Sequence, residues 1–148
     1  MTPEELAHSY LLSFWDGMLP VNPIRIANAL SIQVFQDENL QSCNRSGEYR
    51  PGVISFNPHH HKNRIRFTVA HELGHHAFNH GPAAREDHSF SYSYKEQQAN
   101  EFAAALIMPH EAITRLLTEG ITSFSELSER FGVSPRAMEI RLERLGYL

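Results

Sequence analysis

Two histidines and a glutamate occur in the stretch His71-Glu72-Leu73-Gly74-His75, which has the spacing H-E-x-x-H. In a helix, residues four apart lie one turn apart on the same face. The two imidazoles can therefore bind one small cation together, and zinc accepts nitrogen ligands while keeping one position open in catalytic sites. Glu72 would lie beside the cation and could take a proton from a water that the cation acidifies. The spacing predicts a catalytic metal site.

The alternative is that the H-E-x-x-H pattern occurs here by chance, without a metal site. The neighbouring residues favour the metal site. Phe67 and Phe78 lie on the histidine face at helical spacing, so we expect that face to be buried. Two adjacent imidazoles on a buried face need a polar partner, because unsatisfied buried polar groups are costly. A cation would be such a partner.

The third ligand must come from elsewhere in the chain. The metzincin spacing would place a third histidine at position 81, which is Gly81, and His80 is one residue short. No other histidine or cysteine has a suitable position. A carboxylate from the next helix is the better candidate and would complete a His₂Glu site.

Two glutamates of that next helix compete for this role, and the helical period separates them. Its apolar stripe is formed by Ala99, Phe102, Ala103, Leu106 and Ile107. Glu96 lies roughly 50° from the centre of the stripe and Glu101 roughly 170° from it. We therefore predict Glu96 as the ligand and expect Glu101 to face solvent; the alternative for Glu96 is an exposed residue favoured by the helix dipole. Asn100 is predicted to hydrogen-bond a ligating histidine.

The remaining chemistry-bearing side chains near the motif have weaker signals. Tyr92, Tyr94 and His80 are candidate stabilisers of an oxyanion. The alternatives are loop packing for the tyrosines and a cation at a helix C-terminus for His80. The histidines at 59–61 are expected in a solvated turn and His76 on the surface.

The elements that would position these residues follow from periodicity and from turn residues. Helices are predicted at about 3–16, 23–30, 63–80, 94–108, 110–119, 123–131 and 135–145. Strands are predicted at 32–35 and, as a strand or hairpin, at 49–56, whereas 37–47 and 81–92 are predicted to be turn-like or loop-like. This order indicates an α+β fold with a small mixed or antiparallel sheet.

Composition limits the class of protein. The chain has 148 residues, of which 41% are hydrophobic and 20% charged, as expected for one globular domain over 1–148. Its net charge of −4 argues against a protein that coats duplex DNA. Cys43 is the single cysteine, which excludes an internal disulfide. Glu4 and Glu5 occupy positions where an export signal is positively charged, and we expect a cytoplasmic protein without a membrane segment.

The segment 121–148 is similar to a helix-turn-helix, with Gly132-Val133-Ser134 as its turn. It contains four arginines and four glutamates and so has no net charge. A DNA reader needs a positive surface. We therefore expect this segment to pack on the rest of the domain or to recognise a protein partner, and direct binding of nucleic acid is not expected.

Two longer stretches carry a specific family resemblance. RFTVAHELGH at 66–75 and EQQANEFAAALIMP at 96–109 resemble the ImmA/IrrE family of metallo-endopeptidases, whose patterns are similar to RFTxAHELGH and ExEANxFAxxLLMP. The residues of segments 19–26 and 130–146 also resemble those of the family. The resemblance extends over nearly the whole chain.

The resemblance implies a zincin-like fold, zinc held by His71, His75 and Glu96, and Glu72 as the catalytic base. The chain departs from the pattern at Gln98, where the family often has a glutamate, and we expect this change to alter the surroundings of the site without removing a ligand. The family commonly cleaves helix-turn-helix repressors or antitoxins, which implies a protein substrate of that kind. The alternative is a non-catalytic, metal-containing regulator that binds a repressor protein or DNA.

Overall fold

The computed structural model describes residues 1–81 and 90–148, with the side chains of 1–81 and 93–148. Its strands are β1 (Gln33–Gln36), β2 (Gly47–Arg50) and β3 (Val53–Phe56). Its helices are α1 (Pro3–Phe14), α2 (Pro23–Ala29), α3 (Asn39–Ser42), α4 (Lys62–Ala77), α5 (Phe90–Ile107), α6 (His110–Thr118), α7 (Phe124–Phe131) and α8 (Pro135–Arg144). The predicted α+β class is confirmed.

The three strands form one mixed sheet in the order β1-β3-β2. β3 pairs in parallel with β1 and antiparallel with β2. The β2–β3 hairpin turns at Pro51 and Gly52, where Gly52 has a φ of +81° that glycine adopts without strain. The hairpin predicted at 49–56 is therefore confirmed.

Helix α4 is the central element of the fold. It contacts β2, β3 and α2 on one side and α5 on the other, and α5 also packs against α1. The buried side chains at the α4–α5 boundary include Val69, Leu73, Phe102 and Leu106, which are all fully buried. Burial of apolar area is the main driving force for packing. Helix α4, which carries the H-E-x-x-H motif, is therefore fixed in position by its contacts with the sheet, with α2 and with α5.

The structure differs from the sequence-based prediction most clearly at α3 and at the start of α5. Residues 37–47 contain the short helix α3, whose Leu40 is buried against the rest of the protein. This one apolar side chain gives no helical period, so the sequence pattern did not reveal the helix. Helix α5 begins at Phe90, four residues before its predicted start, and residues 82–89 of the predicted loop lie outside the described residues.

The C-terminal helices α7 and α8 pack against each other through the turn at Gly132. Arg66 of α4 donates a hydrogen bond to the Gly132 carbonyl at 2.7 Å. Arg141 of α8 donates to the Met108 carbonyl at 3.0 Å and to both carboxylate oxygens of Glu4 at 2.8 and 3.0 Å. These contacts join the helix-turn-helix-like segment to α4, to α1 and to the end of α5. That 1–148 is one domain stays a prediction.

None of the helices in 1–81 and 90–148 combines the length and the apolar character that crossing a membrane requires.

Candidate metal centre

Three side chains from two helices converge at one point. The Nε2 atoms of His71 and His75 lie 3.2 Å apart. The carboxylate oxygens of Glu96 lie 2.9 Å from Nε2 of His71 and 3.1 Å from Nε2 of His75. The structure thus brings together the two histidines of α4 and the glutamate of α5 that the helical period selected.

Glycine at position 74 allows this convergence. A Cβ added at Gly74 would lie 3.0 Å from the Cα of Ala99 and 3.2 Å from the ring of Phe102. Such separations are shorter than ordinary van der Waals contacts between carbon atoms. Helices α4 and α5 can therefore approach this closely only because residue 74 has no side chain. The contact lies about one turn of α5 after Glu96.

The three groups fit a small tetrahedral cation. Two ligands that are each about 2.1 Å from zinc at a tetrahedral angle lie roughly 3.4 Å apart. The three separations in the cluster are close to this value, and the ligating atoms all lie within 4.8 Å of one another. Two imidazole nitrogens and a carboxylate form a common donor set of catalytic zinc sites. The set can hold one divalent ion.

The proton equilibria of the cluster reflect its close contacts. Burial alone would raise the pKa of Glu96, but hydrogen bonds and charge from His71 and His75 hold the pKa of that carboxyl well below its usual range. Burial would lower the pKa of His71, whereas hydrogen bonding to Glu96 and the charge of Glu72 raise it, with a net increase. The carboxylate is therefore ionised and ready to act as a ligand.

Glu72 is 4% exposed and lies on the side of α4 that faces β2. A Cβ added at Gly47 would meet the Cγ of Glu72 at 3.4 Å and the Cγ2 of Thr68 at 2.5 Å. The first residue of β2 is therefore packed directly against the motif helix. Glu72 is thus a buried carboxylate next to His71 in the chain, and its role as general base stays a prediction.

His75 has a further hydrogen-bonding partner that sequence reasoning had not assigned. Its Nδ1 lies 2.9 Å from Nδ1 of His80, and Nε2 of His80 lies 2.9 Å from Oε1 of Gln98. His80 is 8% exposed, and burial lowers its pKa. Both ring nitrogens are engaged inside the protein, so this arrangement does not support the oxyanion role predicted for His80.

His71 has a different environment. Its Nδ1 is buried and has no hydrogen-bond partner within the described part of the chain. The side chain of Asn100 makes a small contribution that raises the pKa of His71. Asn100 is thus a polar neighbour of this ring, and its predicted supporting role stays a prediction.

Tyr94 and Glu101 are not part of the cluster. Tyr94 is 55% exposed and lines a surface groove together with Gln97 and the N-terminal residues 1–3. Glu101 accepts a hydrogen bond from Gln97 at 3.1 Å and is absent from the cluster. The side chain of Tyr92 lies outside the described residues.

The remaining histidines have hydrogen-bond partners that the sequence pattern did not reveal. His76 is not a free surface residue, because its Nδ1 lies 3.1 Å from the Tyr49 hydroxyl of β2. The run at 59–61 begins in a turn and exposes His59 and His61, as predicted. In addition, Nδ1 of His61 accepts a hydrogen bond from the Asn63 amide and caps α4. Histidine is an uncommon N-cap residue, so local residue preferences do not predict this role.

The chain is similar to a known protein in fold and to a known family in sequence. No curated protein matches the chain. A solved structure described as a Mycobacterium tuberculosis transcriptional regulator superposes with a TM-score of 0.71 at 19% sequence identity. The match covers 95% of this chain and 46% of that chain, so this chain spans less than half the length of that protein. At this identity the likeness concerns the fold.

The sequence match to a family is broader. The model of the Peptidase_M78 family, described as the IrrE N-terminal-like domain, matches residues 27–143. This range contains α4 with its two histidines, Glu96 and most of the helix-turn-helix-like segment. The match and the geometry together confirm the predicted resemblance: the chain belongs to the Peptidase_M78 family of IrrE N-terminal-like domains.

Proposed function

We propose that the protein is a zinc-dependent endopeptidase in which His71, His75 and Glu96 hold the metal and Glu72 is the general base. The convergence of two imidazole nitrogens and one carboxylate within hydrogen-bonding distance is the observation that carries the proposal. Three protein ligands leave the fourth position of a tetrahedral ion for water or substrate. Membership of a peptidase family supports amide hydrolysis as the reaction.

In this proposal, the metal activates the substrate and the water, and Glu72 transfers the proton. Bound zinc would polarise the scissile carbonyl and acidify a water molecule. Glu72 takes the proton of the attacking water onto its carboxylate and afterwards gives it to the nitrogen of the departing amine. Glu72 is 4% exposed, and its Cγ would lie 3.4 Å from a Cβ added at Gly47, so the side chain has little room to move. Tyr92 stays a candidate for a donor to the oxyanion.

A helix-turn-helix repressor or antitoxin is the substrate class that the family resemblance suggests. The solved structure of similar fold is described as a transcriptional regulator, which supports a place in gene regulation. Segment 121–148 has no net charge and joins the domain through Arg66 and Arg141, so it offers a surface for a protein partner more readily than for DNA.

A second candidate function is regulation by binding alone. The description of the similar structure as a regulator favours it. In that case the metal would stabilise the fold, and the effect on a repressor would need no proton transfer at Glu72.

The two candidates differ in their dependence on Glu72. Zinc-loaded protein is incubated with the helix-turn-helix repressor encoded nearest to its gene, and intact masses are recorded. We expect two fragments whose masses sum to the repressor plus one water, and no fragments with Glu72→Gln. Glu101→Gln is the matched control and should cleave normally, because Glu101 lies outside the cluster. Inactivation of the repressor without fragments, and equally by wild type and Glu72→Gln, would support regulation by binding.

A further inference from the structure

We propose that His80 and Gln98 are positioning residues that fix His75 in the imidazole tautomer able to bind metal. The inference rests on the proposed metal site and concerns residues that do not themselves touch the cation. A chain of two hydrogen bonds leads away from the cluster. It joins Nδ1 of His75, the two ring nitrogens of His80 and Oε1 of Gln98. Both hydrogen bonds measure 2.9 Å.

The direction of the hydrogen bonds follows from the chemistry of imidazole. His75 presents Nε2 to Glu96, so Nε2 is the atom that faces the metal position. A neutral imidazole that binds metal through Nε2 keeps its proton on Nδ1. Nδ1 of His75 must then donate, and Nδ1 of His80 must accept. His80 in turn keeps its proton on Nε2 and donates it to the oxygen of Gln98.

The opposite direction would be incompatible with metal binding. If position 98 offered a donor, His80 would accept at Nε2 and donate from Nδ1 to His75. His75 would then keep its proton on Nε2, the atom that has to coordinate. An acceptor at position 98 is therefore the requirement, and the oxygen of glutamine fulfils it as the oxygen of glutamate would.

The backbone at the end of α4 holds His80 in place for this role. Asn79 has a φ of +56°, and the amides of His80 and Asn79 donate to the carbonyls of His75 and His76 at 2.8 and 2.9 Å. This is the Schellman pattern of a helix C-terminus. The ring of Phe78 stacks on that of His80 with a centroid distance of 5.8 Å. The helix end thus folds the His80 ring back onto His75.

The same support is absent at the other histidine ligand. Nδ1 of His71 has no hydrogen-bond partner in the described part of the chain, although it is buried. Orientation of metal-binding histidines by a second hydrogen bond typically changes metal affinity 10- to 100-fold. We therefore expect the contribution of the His80–Gln98 pair to be measurable on its own.

The test compares zinc affinity across three variants, measured by competition with a chromophoric chelator. Gln98→Leu removes the acceptor and should weaken zinc binding by about 10- to 100-fold. Gln98→Glu keeps an acceptor and should retain wild-type affinity or exceed it. Gln97→Leu is the matched control on the same turn of α5, since Gln97 is exposed and bonds only Glu101 among the described residues; it should leave zinc affinity unchanged.

A spectroscopic readout separates positioning from stability. In zinc-loaded protein, ¹⁵N chemical shifts of the imidazoles should show a proton on Nδ1 of His75 and on Nε2 of His80. Wild-type zinc affinity in Gln98→Leu, or an equal loss in Gln98→Glu, would overturn the inference while leaving the proposed peptidase intact. Failure of the wild type to bind zinc would overturn both.

Discussion

Gly74 of α4 is in close contact with Ala99 of α5. A methyl group added at Gly74 would lie 3.0 Å from the Cα of Ala99 and 3.1 Å from its carbonyl oxygen. Ala99 itself is fully buried. The contact sets the distance between α4 and α5, and with it the distance between the imidazoles and Glu96. Metal binding and helix packing are therefore coupled through one glycine.

Replacing Gly74 by alanine should destabilise the metal-free protein by about 1–2 kcal/mol. Overpacking typically costs about 1–3 kcal/mol, and the better helix propensity of alanine offsets up to about 1 kcal/mol of that. Zinc affinity should fall about tenfold, because Glu96 moves away from the histidines. Urea denaturation and chelator competition measure the two effects. The control is Gly81→Ala, where an added Cβ meets no described residue within 4 Å. Equal behaviour of the two variants would contradict this explanation.

Asn79 should tolerate glycine and resist β-branched residues. Its positive φ is readily adopted by glycine and asparagine but is unfavourable for valine. We expect Asn79→Gly to change stability by less than about 0.5 kcal/mol and Asn79→Val to lower it by about 1–2 kcal/mol. Because the turn also places His80, only the valine variant should bind zinc more weakly. Tight zinc binding in a destabilised Asn79→Val protein would argue that the helix end does not position the site.

We expect the hydrogen bonds of Arg141 to be the main polar contribution to the packing of α8 on the rest of the protein. Its side chain is 7% exposed, and it donates to Glu4 and to the Met108 carbonyl. Arg141→Met should lower the free energy of unfolding by about 2 kcal/mol, a value reduced from that of a fully buried pair because Glu4 is 45% exposed. Arg136→Met on the same helix breaks an exposed pair with Glu139 and should cost less than about 0.5 kcal/mol. Similar losses in both variants would contradict the assignment.

The local sequence predicted most of the helices and the side chains of the proposed site. Helical spacing placed His71 and His75 on one face, and the period of α5 separated Glu96 from Glu101. Glu96 lies in the cluster and Glu101 does not. Both inferences needed only the geometry of a single helix and the expectation that apolar residues face inward.

The missed features depend on contacts between elements. The link from His80 to Gln98 spans 18 residues and arises from the crossing of α4 and α5 and from the left-handed turn at Asn79. The pairing of His76 with Tyr49 likewise requires the position of β2 beside α4. No periodicity within one segment encodes such a contact, and short elements such as α3 leave too few apolar positions for a pattern.

The central claim is that His71, His75 and Glu96 together bind one divalent ion. The most direct measurement is the zinc content and zinc affinity of purified wild-type protein, Glu96→Ala and Glu101→Ala, with folding of each checked by circular dichroism. We predict about one zinc per wild-type chain, since a His₂Glu set is a catalytic zinc site. Zinc should be lost from Glu96→Ala and retained by Glu101→Ala. A folded Glu96→Ala protein with wild-type zinc affinity, or loss of zinc from Glu101→Ala, would contradict the account.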